Sequence, residues 1–150
     1  MPVEENIQLL RRWFQEVWNE GKTQPIHDLL SPNAVAKGQS LDHSELHGPE
    51  EFVRFVEGIR ATFSDIKVTV EDVFGTDDKV VVRWSLTMTH QGDSMGFPAT
   101  GKTIQLTGIT IARIENGKIV EGWDNWDKLG MFEQIGAYAP PGPVALPKSA

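Results

Sequence analysis

At 150 residues the chain is long enough for one domain with a real core and a small cavity, and its net charge of −7 disfavours nucleic acid or an anionic membrane surface as partner. It has no cysteine, which excludes disulfides, a thiolate nucleophile and a cysteine-based zinc site. The acidic amino terminus does not resemble a secretory signal and no apolar run approaches a membrane span, so the expectation is a cytoplasmic protein whose partner is a small neutral or apolar molecule.

Ile7, Leu10, Phe14, Val17 and Trp18 recur at three and four residues and predict a first helix from about Val3 to Glu20, stopped at Gly21. A short apolar stretch from Ile26 to Leu30 suits a second helix or turn, closed by Ser31-Pro32-Asn33. In LHGPEEFVRFVEGIRATF the proline and two glutamates suit the first turn of a third helix, whose stripe is Phe52, Phe55, Val56, Ile59 and Phe63. From Asp65 the period becomes two. Ile66, Val68 and Val70 mark a first strand, and Gly75-Thr76-Asp77-Asp78 turns into a second from Lys79 to about His90, with Val80, Val82, Trp84, Leu86, Met88 and His90 on one face. A glycine-rich loop leads to a third strand, Thr103 to about Ile114, and Asn116-Gly117 predicts a tight hairpin into a fourth, GKIVEGWDNWDKLG.

Leu129 to Ile135 read as a closing helical turn. Residues 1–138 make the domain, and residues 139–150 a proline-rich, extended tail. Helices followed by a four-stranded antiparallel meander give an α+β layout, and a strongly curved sheet folded on a long helix leaves a cone-shaped pocket, where ligands bind.

Strand parity divides the fourth strand into Ile119, Glu121, Trp123 and Asn125 on one side and Val120, Gly122, Asp124 and Trp126 on the other. A carboxylate is costly to desolvate, so Asp124 either lines the pocket as an acid/base group with a raised pKa or faces outward as an exposed or paired aspartate. Asp127 suits a helix cap instead. His90 shares a face with Trp84 and Met88 and either reaches the pocket mouth to assist Asp124 or is a satisfied structural histidine. His43 and His47 lie in an apparent loop with no third ligand in sight, so no metal site is expected. Trp84, Trp123 and Trp126 read first as core or interface, with Trp84 and Trp126 able to shape an apolar pocket. Gly101-Lys102-Thr103 opens a strand, so it is not a phosphate loop.

The segment THQGDSMGFPATGK followed by ITIARIENGKIVEGWDNWDKLGMFEQIG resembles the SnoaL-like polyketide ester cyclases, a branch of the nuclear-transport-factor-2-like (NTF2-like) superfamily, and the likeness runs from the first helix through Gly136. The resemblance implies an NTF2-like cone, a curved antiparallel sheet wrapped around helices with a central apolar cavity, dimerised through the outer sheet face. It implies ring closure by intramolecular aldol condensation, without metal or cofactor, with an aspartate as general acid/base. That aspartate falls on Asp124. The family's histidine and glutamine, which hold substrate oxygens on the preceding strand, appear here as Thr110 and Gly108, and Thr110 is expected to donate to the developing enolate. Epoxide hydrolases of the superfamily add an arginine and a second aspartate where this chain offers Trp84 and Leu86. Two classes of function follow: a cofactor-free enzyme acting on an apolar carbonyl compound (cyclase, or else hydrolase or isomerase), and a non-catalytic ligand-binding domain.

Overall fold

The first amphipathic stretch forms α1 (Val3–Arg12) and runs without a break into a π-helix over Trp13–Asn19. In this computed structural model residues 2–139 and Gly142 are described, so the expected tail lies outside the described residues apart from Ala139 and Gly142. The π-helical register matters for the cavity. In an α-helix, residues five apart point about 140° away from each other, whereas i→i+5 bonding, as from the Glu20 N–H to the Gln15 carbonyl at 2.9 Å, stacks them. Trp13 and Trp18 consequently reach the same ring, Phe52, with centroids 5.0 and 6.4 Å away. Trp13, three residues after Leu10 and four before Val17, shares the face of the expected stripe, which did not name it.

α2 (Gln24–Leu29) follows, with Pro25 in its first turn. The segment Ser31-Pro32-Asn33, expected to close that element, lies inside a strand, β1 (Leu30–Lys37). The pairing of β1 is irregular between Leu30 and Val35, and its other neighbour, the two-residue β2 (Leu46–His47), reaches only Val35 and Ala36. Pro32 therefore sits at a bulge on an open edge, where a missing N–H leaves no ladder bond unmade. α3 (Gly48–Thr62) starts with Pro49, Glu50 and Glu51, and the Glu51 carboxylate accepts the His47 N–H at 2.9 Å. It buries Phe52 and Val56.

The remaining strands are β3 (Phe63–Gly75), β4 (Lys79–His90), β5 (Thr103–Glu115) and β6 (Lys118–Trp126), followed by α4 (Lys128–Gln134). They form an antiparallel meander as expected. The sheet is larger than the expected four strands: its order is β2-β1-β6-β5-β4-β3, and β1 runs parallel to β6. Burial alternates along β5, with Ile104, Leu106, Gly108, Thr110, Ala112 and Ile114 inside and Gln105, Thr107 and Ile109 outside. The curved, unclosed sheet folds its inner face onto the first helical segment and α3, which makes an NTF2-like cone. No helix among the described residues is long and apolar enough to cross a membrane.

Candidate active site

The cavity between sheet and helices is walled mainly by rings and aliphatic groups: Trp13, Phe14, Trp18 and Phe52 from the helices, Trp84 and Leu106 from the sheet. Among the described residues, three polar side chains besides the indoles line it, those of Gln39, Thr110 and Asp124.

Asp124 faces this cavity because of its place on β6. Thr110 stands directly opposite it on β5. The predicted parity needs one correction. Arg113 pairs with Glu121 but Ile114 with Ile119, so β6 carries one extra residue, Val120, and the strand switches face there. Ile119 therefore lines the cavity with Gly122, Asp124 and Trp126, and Val120 does not. A bulge leaves the residues beyond it in phase, so Asp124 and Trp126 keep the side that simple alternation gave them.

The Asp124 residue keeps some surface open to the cavity, but its carboxyl lies among protein atoms rather than bulk water. Desolvation pushes its pKa up to about 7, against smaller downward pulls from the Thr110 hydroxyl and the Lys128 ammonium. Lys128 is tethered by its Nζ donating to the Ser40 carbonyl at 2.8 Å and stands over the Trp126 ring at 5.7 Å.

A short relay fixes the geometry of the acid. The indole Nε1–H of Trp84 donates to Thr110 Oγ1 at 3.0 Å, and the Thr110 hydroxyl donates to Asp124 Oδ1. An indole nitrogen can only donate, so Thr110 must accept there and direct its single proton to the carboxylate. That proton is then not available to a substrate oxygen, which corrects the expected enolate contact of Thr110. Oδ2 has no hydrogen-bond partner among the described residues.

Gly108 has no side chain to hold a substrate, and its contribution is space. A Cβ there would stand 2.2 Å from Cζ2 of Trp84, its cross-strand neighbour. The indole lies over the bare backbone and thereby aims its N–H at Thr110. Trp126, paired with Gly108 on the other side, donates its Nε1–H to the Gln39 carbonyl at 3.1 Å.

His90 lies on the expected face of β4 but not among the residues lining the cavity. It is fully buried against Phe63, ring centroids 5.4 Å apart, and its Nδ1 accepts the Thr100 N–H at 3.2 Å. The imidazole pins the loop between β4 and β5. Asp127 is the N-cap of α4, its Oδ1 accepting the Gly130 N–H at 2.8 Å. His47 faces Glu45 and Glu51 on the exposed start of α3, and no group of three His, Cys, Asp or Glu residues able to hold a metal occurs among the described residues. Sequence reasoning did not single out Gln39, which sits in the loop after β1, where no periodicity points to a face.

An α+β cone with a buried carboxyl on its inner face defines the class, an NTF2-like domain. The sequence model of the SnoaL-like polyketide cyclase family matches residues 8–135, and the chain belongs to that family. It is 34% identical over 138 residues to aklanonic acid methyl ester cyclase DauD of Streptomyces sp. (strain C5), covering 87% of this chain and 81% of that one. With the cyclase DnrD of Streptomyces peucetius, another aklanonic acid methyl ester cyclase, identity is 32% over 132 residues, covering 87% and 90%. A SnoaL-like protein of Jannaschia sp. CCS1 superimposes with a TM-score of 0.81 at 25% identity, covering 93% of this chain and 95% of that structure.

Proposed function

We propose that the protein is a cofactor-free cyclase in which Asp124 is the general acid/base for an intramolecular aldol condensation. The observation that carries this reading is the buried Asp124 carboxyl with a pKa of about 7, since a base works best when its pKa lies near the operating pH. Asp124 Oδ2 removes a proton from carbon next to a carbonyl, the electron pair passes to the carbonyl oxygen, and the enolate carbon attacks a second carbonyl of the same molecule. The new alkoxide takes the proton back from Asp124. The apolar, ring-rich wall suits a largely apolar substrate that presents such carbonyls. The names of DauD and DnrD point to its class, a polyketide acid methyl ester.

The Trp84–Thr110 relay supports the same assignment, because it holds one carboxyl oxygen in place and leaves the other for proton transfer. Trp84 and Trp126 contribute indole surface to the wall, and His90 acts at a distance by holding its loop. An epoxide hydrolase reading is less well supported: besides Asp124, no carboxylate or guanidinium lines the cavity among the described residues.

Hydrogen–deuterium exchange at C1 of 2-tetralone tests the proposal. Exchange above the buffer rate in the natural protein, absent in Asp124→Asn, is the expected result. Equal rates in the two proteins would instead leave a ligand-binding domain.

The outer sheet face is proposed to bind a second copy of this chain. What supports this is a row of apolar groups in direct cross-strand register, Phe74, Val81, Ile111 and Trp123. Phe74 is 59% exposed and Ile109 beside the row 45%, an unusual share of open apolar surface on a sheet.

A further inference from the structure

Aldol chemistry needs a donor for the carbonyl oxygen that gains charge when the proton leaves, and the relay removes Thr110 from that role. Its oxygen accepts from Trp84 and its proton goes to Asp124. The indole N–H of Trp126 is engaged on the Gln39 carbonyl. Apart from the indole N–H groups of Trp13 and Trp18 on the helical wall, the polar side chain that remains among the described lining residues is the amide of Gln39, the one carried next to Asp124's own strand. The residue is only 9% exposed, it lines the cavity, and its amide has no hydrogen-bond partner among the described residues. Buried amides are normally satisfied, so one left open toward a cavity is arranged for a ligand atom.

The backbone around Gln39 is fixed on Asp124's own strand. Gly38 packs so closely on β6 that a Cβ would stand 2.0 Å from the Asp124 carbonyl oxygen, and it has φ of 80°, where glycine is favoured. One residue further on, Trp126 holds the Gln39 carbonyl at 3.1 Å. Gln39 thus lines the cavity from a segment clamped to β6 at Asp124 itself and at Trp126.

We infer that Gln39 is the substrate-oxygen-binding residue: its Nε2–H2 donates to the carbonyl oxygen next to the carbon that Asp124 deprotonates. When the proton passes to Oδ2, the electron pair settles on that oxygen, and a fixed amide donor stabilises it there. The ligand class is an apolar ketone or ester whose one buried oxygen meets this amide. Gln39 takes over, from the opposite edge of β6, the part that the family resemblance places at positions 108 and 110, where Gly108 and Thr110 have other work. The inference rests on the proposed acid/base role for its chemistry, but it can be tested by binding alone.

The probes are 1-tetralone and its oxygen-free analogue tetralin, titrated at pH 9, where the Asp124 carboxylate cannot donate a hydrogen bond. Gln39→Leu, close in volume and suited to the apolar wall, is expected to weaken 1-tetralone binding about tenfold and leave tetralin unchanged, as for loss of one hydrogen bond. Gln39→Glu, ionised at that pH, should weaken 1-tetralone at least as much. In the natural protein the carbonyl carbon of bound 1-tetralone should shift downfield in its NMR spectrum, and the Gln39 side-chain amide should move with 1-tetralone and not with tetralin. Equal effects of Gln39→Leu on both probes, or an amide signal indifferent to the ketone, would overturn the assignment; so would failure of the natural protein to bind 1-tetralone. Loss of the Asp124 proposal looks different: ketone selectivity would still follow Gln39 while exchange would not follow Asp124.

Discussion

Two carboxylates three residues apart on β6 are driven in opposite directions. Glu121 faces outward, where Lys37 Nζ at 3.0 Å and Arg113 Nε at 3.2 Å lie against its oxygens, and these partners lower its pKa, Lys37 first. Asp124 faces inward, where removal from water outweighs the single hydroxyl it receives and raises its pKa to about 7. Same strand, same functional group: what differs is the side of the sheet. The outer group's partners favour its charged form and work against its cycling a proton. The inner one is poised to cycle one. A sheet with one wet and one dry face thus makes a structural acid and a candidate catalytic one from adjacent turns of the same pleat.

The largest effect that would break this contrast is on Asp124 itself. Asp124→Asn should lower tetralone exchange at least about a hundredfold, the usual contribution of a positioned acid/base group. Glu121→Gln should leave exchange and its pH profile unchanged. Stability should move the other way. Between its ordinary value of 3.8 and about 7, the folded protein holds an Asp124 proton that the unfolded chain has released. The associated stability is full below about pH 4, declines as pH rises toward 7, and is gone above it. The whole shift corresponds to an upper bound of about 4 kcal/mol. Asn does not titrate, so Asp124→Asn should unfold at higher urea concentration than the natural protein at pH 8 and show less difference at pH 4.

A next, smaller effect sharpens the role of the relay. Gly108→Ala puts a methyl group into the Trp84 ring, for which overpacking costs about 1–3 kcal/mol, and it should lower Tm and disturb the Asp124 titration together. Trp84→Phe keeps most of the ring and removes the N–H. Thr110 is then free to turn its proton elsewhere, so the Asp124 pKa should rise, by up to about one unit for one moderate hydrogen bond. Carboxyl-carbon NMR on Asp124 reads it directly, and an unmoved titration would show that Thr110 needs no help from Trp84.

Much of this was legible because the chain announces its periods clearly. The three-and-four spacing of the first helix, the alternation from Ile66 onward and Asn116-Gly117 each report a local preference that the tertiary structure keeps. The parts that stayed hidden depend on partners far away in sequence. Ser31-Pro32-Asn33 carries turn residues, and only pairing with β6 makes it part of a strand. Ile119 and Val120 exchange faces because β5 and β6 differ by one residue in length across the bulge, which alternation in one strand cannot express. The π-helical turn that lets Trp13 and Trp18 meet the same ring arises within a sequence that fits an ordinary helix equally well. Asp124 was placed by parity and resemblance, yet the direction of the Thr110 hydroxyl follows from an indole twenty-six residues earlier in the chain. Gln39 had no pattern to reveal it.

The smallest effect expected at the site comes from the outer face, and it tests whether the two sides of the sheet are independent. Phe74, Val81, Ile111 and Trp123 form one row across four strands, with Lys37 and Lys79 each 5.8 Å from the Trp123 ring. If a second copy covers this row, Phe74→Lys combined with Ile109→Lys places unpaired charge in an apolar contact and should shift the protein to monomer in sedimentation equilibrium. Exchange per chain should change less than about twofold, because Asp124, Thr110 and Trp84 all project to the other side of the sheet. A monomer with lost exchange would instead mean that the outer contact holds the sheet's curvature, and with it the separation between the wet and the dry carboxylate.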